Sequence, residues 1–215
     1  MPPLASRIRP ILIWLAVGTA VLVPIVAAAA SPLLAWRSAV YIAAGFAGII
    51  AMALMLVQPL LAVGYLPGLT RYAARRTHLW IGTAMVAAVL LHIVGLYVTS
   101  PPDVIDALTF DSPTPFSNWG VIAMWALFLV ALLVALRNHI GVRPRTWRMI
   151  HTALFSVIVP STVVHAVLIH GTMETLTKVA LSAFLIMATL KAIFDLRVWR
   201  KRRGRPIAPA IVTPE

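Results

Sequence analysis

Apolar residues along this chain fall in uninterrupted runs of about twenty rather than in stripes recurring every three or four positions. Six such runs stand out, at 11–30, 38–63, 77–98, 118–136, 148–169 and 175–194. A helix rising 1.5 Å per residue needs about 20 apolar residues to cross roughly 30 Å of hydrocarbon, so each run is long enough to span. Between them lie the breakers: Gly64, Pro67 and Gly68 after the second run, and a stretch rich in turn-forming residues from Ser100 to Ser117 after the third. The pattern predicts an all-α integral membrane protein, a bundle of six transmembrane helices. It divides the chain into an N-terminal helix with its outer loop (1–37), a helical core (38–198) and a basic tail (199–215). Ala27 to Ala30 behind a basic start resembles a signal-peptidase site, but the apolar stretch exceeds the usual signal core, which favours a retained helix.

Composition agrees and adds orientation. Of 215 residues, 61% are hydrophobic and 11% charged, far from the balance of a soluble domain. The formal charge of +12 could suggest nucleic acid, but the cations sit at the ends of the apolar runs. With the N-terminus inside, the inner segments carry Arg7, Arg9, Arg71, Arg75, Arg76, Arg137, Arg143, Arg145, Arg148 and the six cations between Arg197 and Arg205. The outer segments carry Arg37 and Lys178, together with Asp103, Asp106 and Asp111. This asymmetry places both termini in the cytoplasm. The absence of cysteine excludes disulfides, thiolate metal sites, iron–sulfur clusters and thioether-attached haem. No glycine-rich phosphate or dinucleotide loop occurs, so electrons or substrate would have to come from another molecule.

Ionisable residues inside a membrane are costly and mark function. His78 and His92 fall in the third run or at its edge, and His151 and His165 in the fifth, fourteen residues apart in both cases. Fourteen residues of helix return to within roughly 40° of the same face and advance about 21 Å. Both helices enter from the cytoplasmic side, so they run parallel. His78 follows Arg76 by two residues and His151 follows Arg148 by three, which matches the depths of the inner imidazoles and, with them, those of His92 and His165. Two levels of facing imidazoles are the arrangement in which iron of b-type haem finds two axial ligands, with two haems accommodated. The bland reading of any one of these residues is a helix–helix hydrogen bond, a proton relay or a pore lining; it is the matched geometry of four that argues against it. His139 among loop arginines reads as a solvated histidine, and His170 as the end of a helix before Gly171.

Several neighbours fit this picture without deciding it. Gly82 and Gly95 leave room either for a flat macrocycle or for close helix packing. Arg76 and Arg148, with Arg75 and Arg145, match haem propionates in geometry, although positive-inside anchoring explains them equally well. Pro160 predicts a kink between the two histidines of its helix. Trp36, Trp80, Trp119, Trp147 and Trp199 lie near span ends, as an aromatic belt does. Lys191 and Asp195, four apart, read as an interfacial ion pair.

The segments Arg76-Thr-His78-Leu-Trp-Ile-Gly82 with Leu91-His92, and Trp147-Arg-Met-Ile-His151 with His165, resemble the ferric reductase-like transmembrane domain. That domain is shared by ferric reductases, NADPH oxidases and the haem-binding membrane subunit of the periplasmic methionine sulfoxide reductase system. The resemblance covers roughly residues 40 to 195. It implies b haems stacked across a bacterial inner (plasma) membrane, with His78, His92, His151 and His165 at the ligand positions. It further implies a separate electron donor (a flavoprotein or quinol) and an acceptor on the outer face: iron, oxygen or a periplasmic reductase. The flavin and nicotinamide domain that the oxidases carry after the sixth helix has no counterpart here. A different class of function stays open, a haem-free transporter or assembly factor whose histidines line a proton or metal path. The first five runs lack Asp and Glu, which speaks against the usual proton coupling. A quinol-linked cytochrome b of another fold would spread its ligands over four helices.

Overall fold

The computed structural model describes residues 4–196 and the side chains from residue 8 onward. The basic tail therefore lies outside the described residues, as does Trp199. Among the described residues all regular structure is helical: α1 (Leu4–Ala29), α2 (Ala39–Val63), α3 (Arg71–Thr99), α4 (Pro101–Thr109), α5 (Pro115–Ala135), α6 (Pro144–Leu168) and α7 (Thr175–Leu196). All but α4 are long and apolar enough to cross a membrane, which makes the chain a six-span, multi-pass membrane protein.

Local chemistry explains the helix limits. Ser38 and Thr70 cap α2 and α3, their hydroxyl oxygens accepting the N–H groups of Tyr41 and Ala73. Gly64 ends α2 in the left-handed region at φ 82°, and its N–H returns to the carbonyls of Leu60 and Leu61. The Thr70 cap starts α3 six residues before the apolar run, so that Arg71, Arg75 and Arg76 belong to the helix and stand exposed at its first turns. The stretch read as turns between Ser100 and Ser117 contains a helix, α4. Pro101 and Pro102 occupy its first positions, where a missing N–H costs nothing, and Asp103 stands in its first turn.

Small residues set the packing, because lipid gives apolar side chains no reason to leave it. α2 is the most enclosed span and lies against α1, α3 and α7; α5 lies against α6. A Cβ on Gly95 would come within 2.7 Å of Ala44 Cβ, and one on Gly82 within 3.2 Å of Gln58 Nε2. Gly95 thus serves the close approach of α3 to α2, and Gly82 lies against the Gln58 side chain of α2. α7 packs on both α2 and α6 and ties the α2–α3 pair to the α5–α6 pair. α3 and α6 are not among the closely packed pairs, which leaves an interhelical gap that their side chains fill. α6 continues through Pro160, which keeps the helical register between His151 and His165.

Charged groups at both ends of α7 differ from the sequence expectation or extend it. Lys178 is no loop cation: it is 5% exposed inside α7, with Nζ donating to the carbonyl of Ile169 at 2.7 Å. A helical side chain leans toward the N-terminus, which carries this ammonium back to the end of α6. At the opposite end, Lys191 and Asp195 form the expected pair at 2.9 Å, and the hydroxyl of Tyr65 also donates to Asp195. Glu174 caps α7 by accepting the N–H groups of Thr177 at 2.6 Å and Leu176 at 2.8 Å. The Thr177 bond, then the Leu176 bond, holds its carboxyl below the usual carboxylate range. A depressed folded-state value adds stability above the unfolded value of about 4.3, and that stability is lost as pH falls through the folded value. Glu174→Gln is therefore expected to lower the melting temperature at pH 7, by a deficit that shrinks as the pH is lowered toward 3. Thermal melts across that range check this, and an equal deficit at both ends would refute the cap.

Candidate functional site in the gap between two helices

The four intramembrane histidines meet in this gap as two pairs. His78 of α3 faces His151 of α6 with ring centres 6.1 Å apart, and His92 faces His165 at 6.4 Å. Pairing in this order requires α3 and α6 to run parallel at matched depth. The His78–His151 pair lies at the basic end, beside the arginine-bearing starts of α3 and α6; the His92–His165 pair lies toward the far end.

Each ring is held differently. His92 Nδ1 is 2.7 Å from the carbonyl of Ala44 on α2, and His165 Nδ1 is 2.8 Å from the carbonyl of Phe116 on α5. A carbonyl only accepts, so Nδ1 donates in both cases and Nε2 keeps its lone pair. His78 Nδ1 makes a longer contact of the same kind, 3.3 Å to the carbonyl of Gln58. Gln58, itself buried, returns the link by donating Nε2 to the carbonyl of His78. The buried Nδ1 of His151 has no hydrogen-bond partner. Its ring instead stacks on Trp147 at 5.0 Å and 17°, and the Arg137 guanidinium lies 4.4 Å from the centre of that indole. Trp147 is thus more than a belt residue: it supports a histidine of the gap.

The geometry limits what the pairs could bind. A first-row metal holds an imidazole nitrogen at about 2 Å. The ring centre lies about 1 Å beyond, so two imidazoles on opposite sides of one metal have centres roughly 6 Å apart. Both pairs stand at that separation. Among the described residues no group of three or more His, Cys, Asp or Glu could hold a metal ion. A bare ion between two imidazoles would lack its remaining ligands, whereas a haem would bring those ligands itself and would need only the two imidazoles from the protein.

The remaining candidates are placed as follows. Arg76 and Arg148 are exposed on the first turns of their helices, at the end where His78 and His151 meet. His139 is exposed in the α5–α6 connection, and His170 is exposed just past α6, which ends at Leu168. Sequence reasoning missed two glycines. A Cβ on Gly48 would lie 3.0 Å from His92 Nδ1, and a Cβ on Gly120 2.7 Å from His165 Nδ1. Each follows the carbonyl that holds the ring by four residues, a spacing visible in the sequence only once the opposing histidine is known.

Comparison with known proteins adds one match. Residues 45–163 match the family described as ferric reductase like transmembrane component. The match runs from the outset of α2 into α6 and takes in His78, His92 and His151, ending two residues before His165. No curated protein and no solved structure matches the chain. With more than half of its length matched, the chain belongs to the ferric reductase-like transmembrane component family.

Proposed function

We propose that this protein carries electrons across a bacterial inner membrane through two b-type haems. The observation that carries the reading is the pair of imidazole levels, each at the spacing of two ligands on one metal. His78 and His151 would hold one haem, and His92 and His165 the other. When bound, haem iron supplies the one-electron chemistry by alternating between ferric and ferrous states.

The chain's own residues do the rest. The carbonyls of Ala44, Phe116 and Gln58 fix which nitrogen of three rings carries the proton and leave the other for a metal. Arg76 and Arg148, at the basic end with Arg75, would pair with propionates there, since a guanidinium fork matches a carboxylate. Buried apolar side chains of α2, α3, α5 and α6 would give the haems dry surroundings. The arginine-rich ends of α3 and α6 face the cytoplasm by the distribution of positive charge, and both termini lie there. Electrons enter on that side from a flavoprotein or quinol and leave on the outer face, to iron, oxygen or a periplasmic reductase.

The reading is tested in sealed vesicles carrying the purified protein, with a membrane-impermeant reductant on one side and a ferric chelate on the other. Reduction of the chelate across the bilayer, absent in protein-free vesicles, is expected. Equal rates with and without protein would overturn the reading.

A further inference from the structure

We propose that Gly48 and Gly120 are positioning residues that seat the far histidine pair, and that this pair consequently holds its haem more tightly than the basic-end pair. The inference rests on the haem reading above.

The same device occurs twice, on two helices that read alike from the glycine onward, Gly48-Ile-Ile-Ala-Met52 and Gly120-Val-Ile-Ala-Met124. In α2 the carbonyl of Ala44 and in α5 the carbonyl of Phe116 each accept the Nδ1 proton of a histidine on a neighbouring helix. In an α-helix such a carbonyl already accepts the N–H of the residue four positions on, here Gly48 and Gly120. A second donor can reach it only by lying across that next residue. The rings do lie there: a Cβ would meet His92 Nδ1 at 3.0 Å and Cε1 at 3.1 Å, and His165 Nδ1 at 2.7 Å and Cε1 at 2.9 Å. Glycine is the residue that admits both the imidazole and its hydrogen bond. The donated proton raises the basicity of the nitrogen left for the metal, and the fixed ring loses no orientational freedom on binding.

The basic-end pair lacks this seat. His78 makes its carbonyl contact at 3.3 Å, and the residue four positions after Gln58 is Ala62. His151 rests on Trp147 by stacking, with Nδ1 unpartnered. Stacking fixes the ring plane but neither the tautomer nor the rotation within that plane.

The test uses the full-length protein in detergent, with haem per chain from pyridine haemochrome spectra, ferric low-spin signals from electron paramagnetic resonance, and potentiometric titration. His165→Ala and His151→Ala identify the signals of the far and basic-end haems. Gly120→Ala and Gly48→Ala are expected to weaken the far haem ten- to a hundred-fold, the range for losing a partner that orients a ligand. Where haem is retained, its low-spin signal shifts and its potential rises, because the ligand becomes less basic. The basic-end signal stays. Two further variants separate seating from crowding. Gly18→Ala meets nothing within 4 Å, and Gly45→Ala crowds Thr172 at 2.7 Å in the same stretch of α2 without meeting a histidine. Both are expected to keep both signals. In the parent protein, competition with a haem-binding apoprotein should remove the basic-end haem first. Unchanged far-haem signal and potential in both Gly120→Ala and Gly48→Ala would overturn the seating role while leaving the haem reading intact, as would equal losses in Gly45→Ala. Loss of the far haem first would overturn the affinity order. A parent protein without haem would overturn both this inference and the reading beneath it.

Discussion

Replacing His165 by alanine is expected to lower the haem content from two per chain to one and to reduce electron transfer across the membrane to background. The substitution removes one of two imidazoles at the far level, and no other His, Cys, Asp or Glu stands ready among the described residues to replace it. His170 lies nearest in sequence, but it is exposed beyond the end of α6. The remaining partner, His92, keeps its bond to the Ala44 carbonyl, so the helix packing around it survives. The basic-end level, one helical stripe below on the same two helices, is untouched. The haemochrome spectrum of the purified variant checks the stoichiometry and vesicle assays check the transfer. Two haems in His165→Ala would remove this residue from the ligand set.

The second large effect is expected at Gly95. Its backbone lies so close to α2 that a Cβ would stand 2.7 Å from Ala44 Cβ and 3.4 Å from Ala44 Cα. Unlike a flexible side chain, α2 backbone at that point cannot turn aside; the two helices must separate. Gly95→Leu is therefore expected to destabilise the bundle by about 1–3 kcal/mol, the usual cost of overpacking. Because Ala44 also supplies the carbonyl that holds His92, the same displacement should loosen the far histidine pair. Unfolding in mixed detergent measures the first effect and haem content the second. Gly18→Ala, in open space, serves as the neutral comparison. A Gly95→Leu protein as stable as the parent would mean that α2 and α3 approach less closely than described.

How much of this was legible beforehand follows from which signals are local. Six spans could be read because length and apolarity are properties of one segment at a time. The two histidine levels could be read because a fourteen-residue spacing repeats on two segments, and the arginines give both a common depth marker. The helix α4 escaped because its proline pair and acids resemble turn chemistry, and it is too short to show a period. Lys178 was misplaced for a related reason: charge near a span end reads as loop, whereas its ammonium is satisfied by the last carbonyl beyond α6. Gly48, Gly120 and the stacking of Trp147 on His151 could not be read at all as a site. Their roles depend on which face of one helix meets which face of another, and small residues in membrane helices carry the same signature whether they face a backbone, as Gly95 does, or a ring.

The central claim, that paired imidazoles between α3 and α6 hold b-type haem, is tested most directly by haem stoichiometry of the purified parent protein. Pyridine haemochrome and reduced-minus-oxidised spectra of the detergent-solubilised chain are predicted to show two b haems per chain. A protein that carries none, purified from cells supplied with haem, would contradict the account.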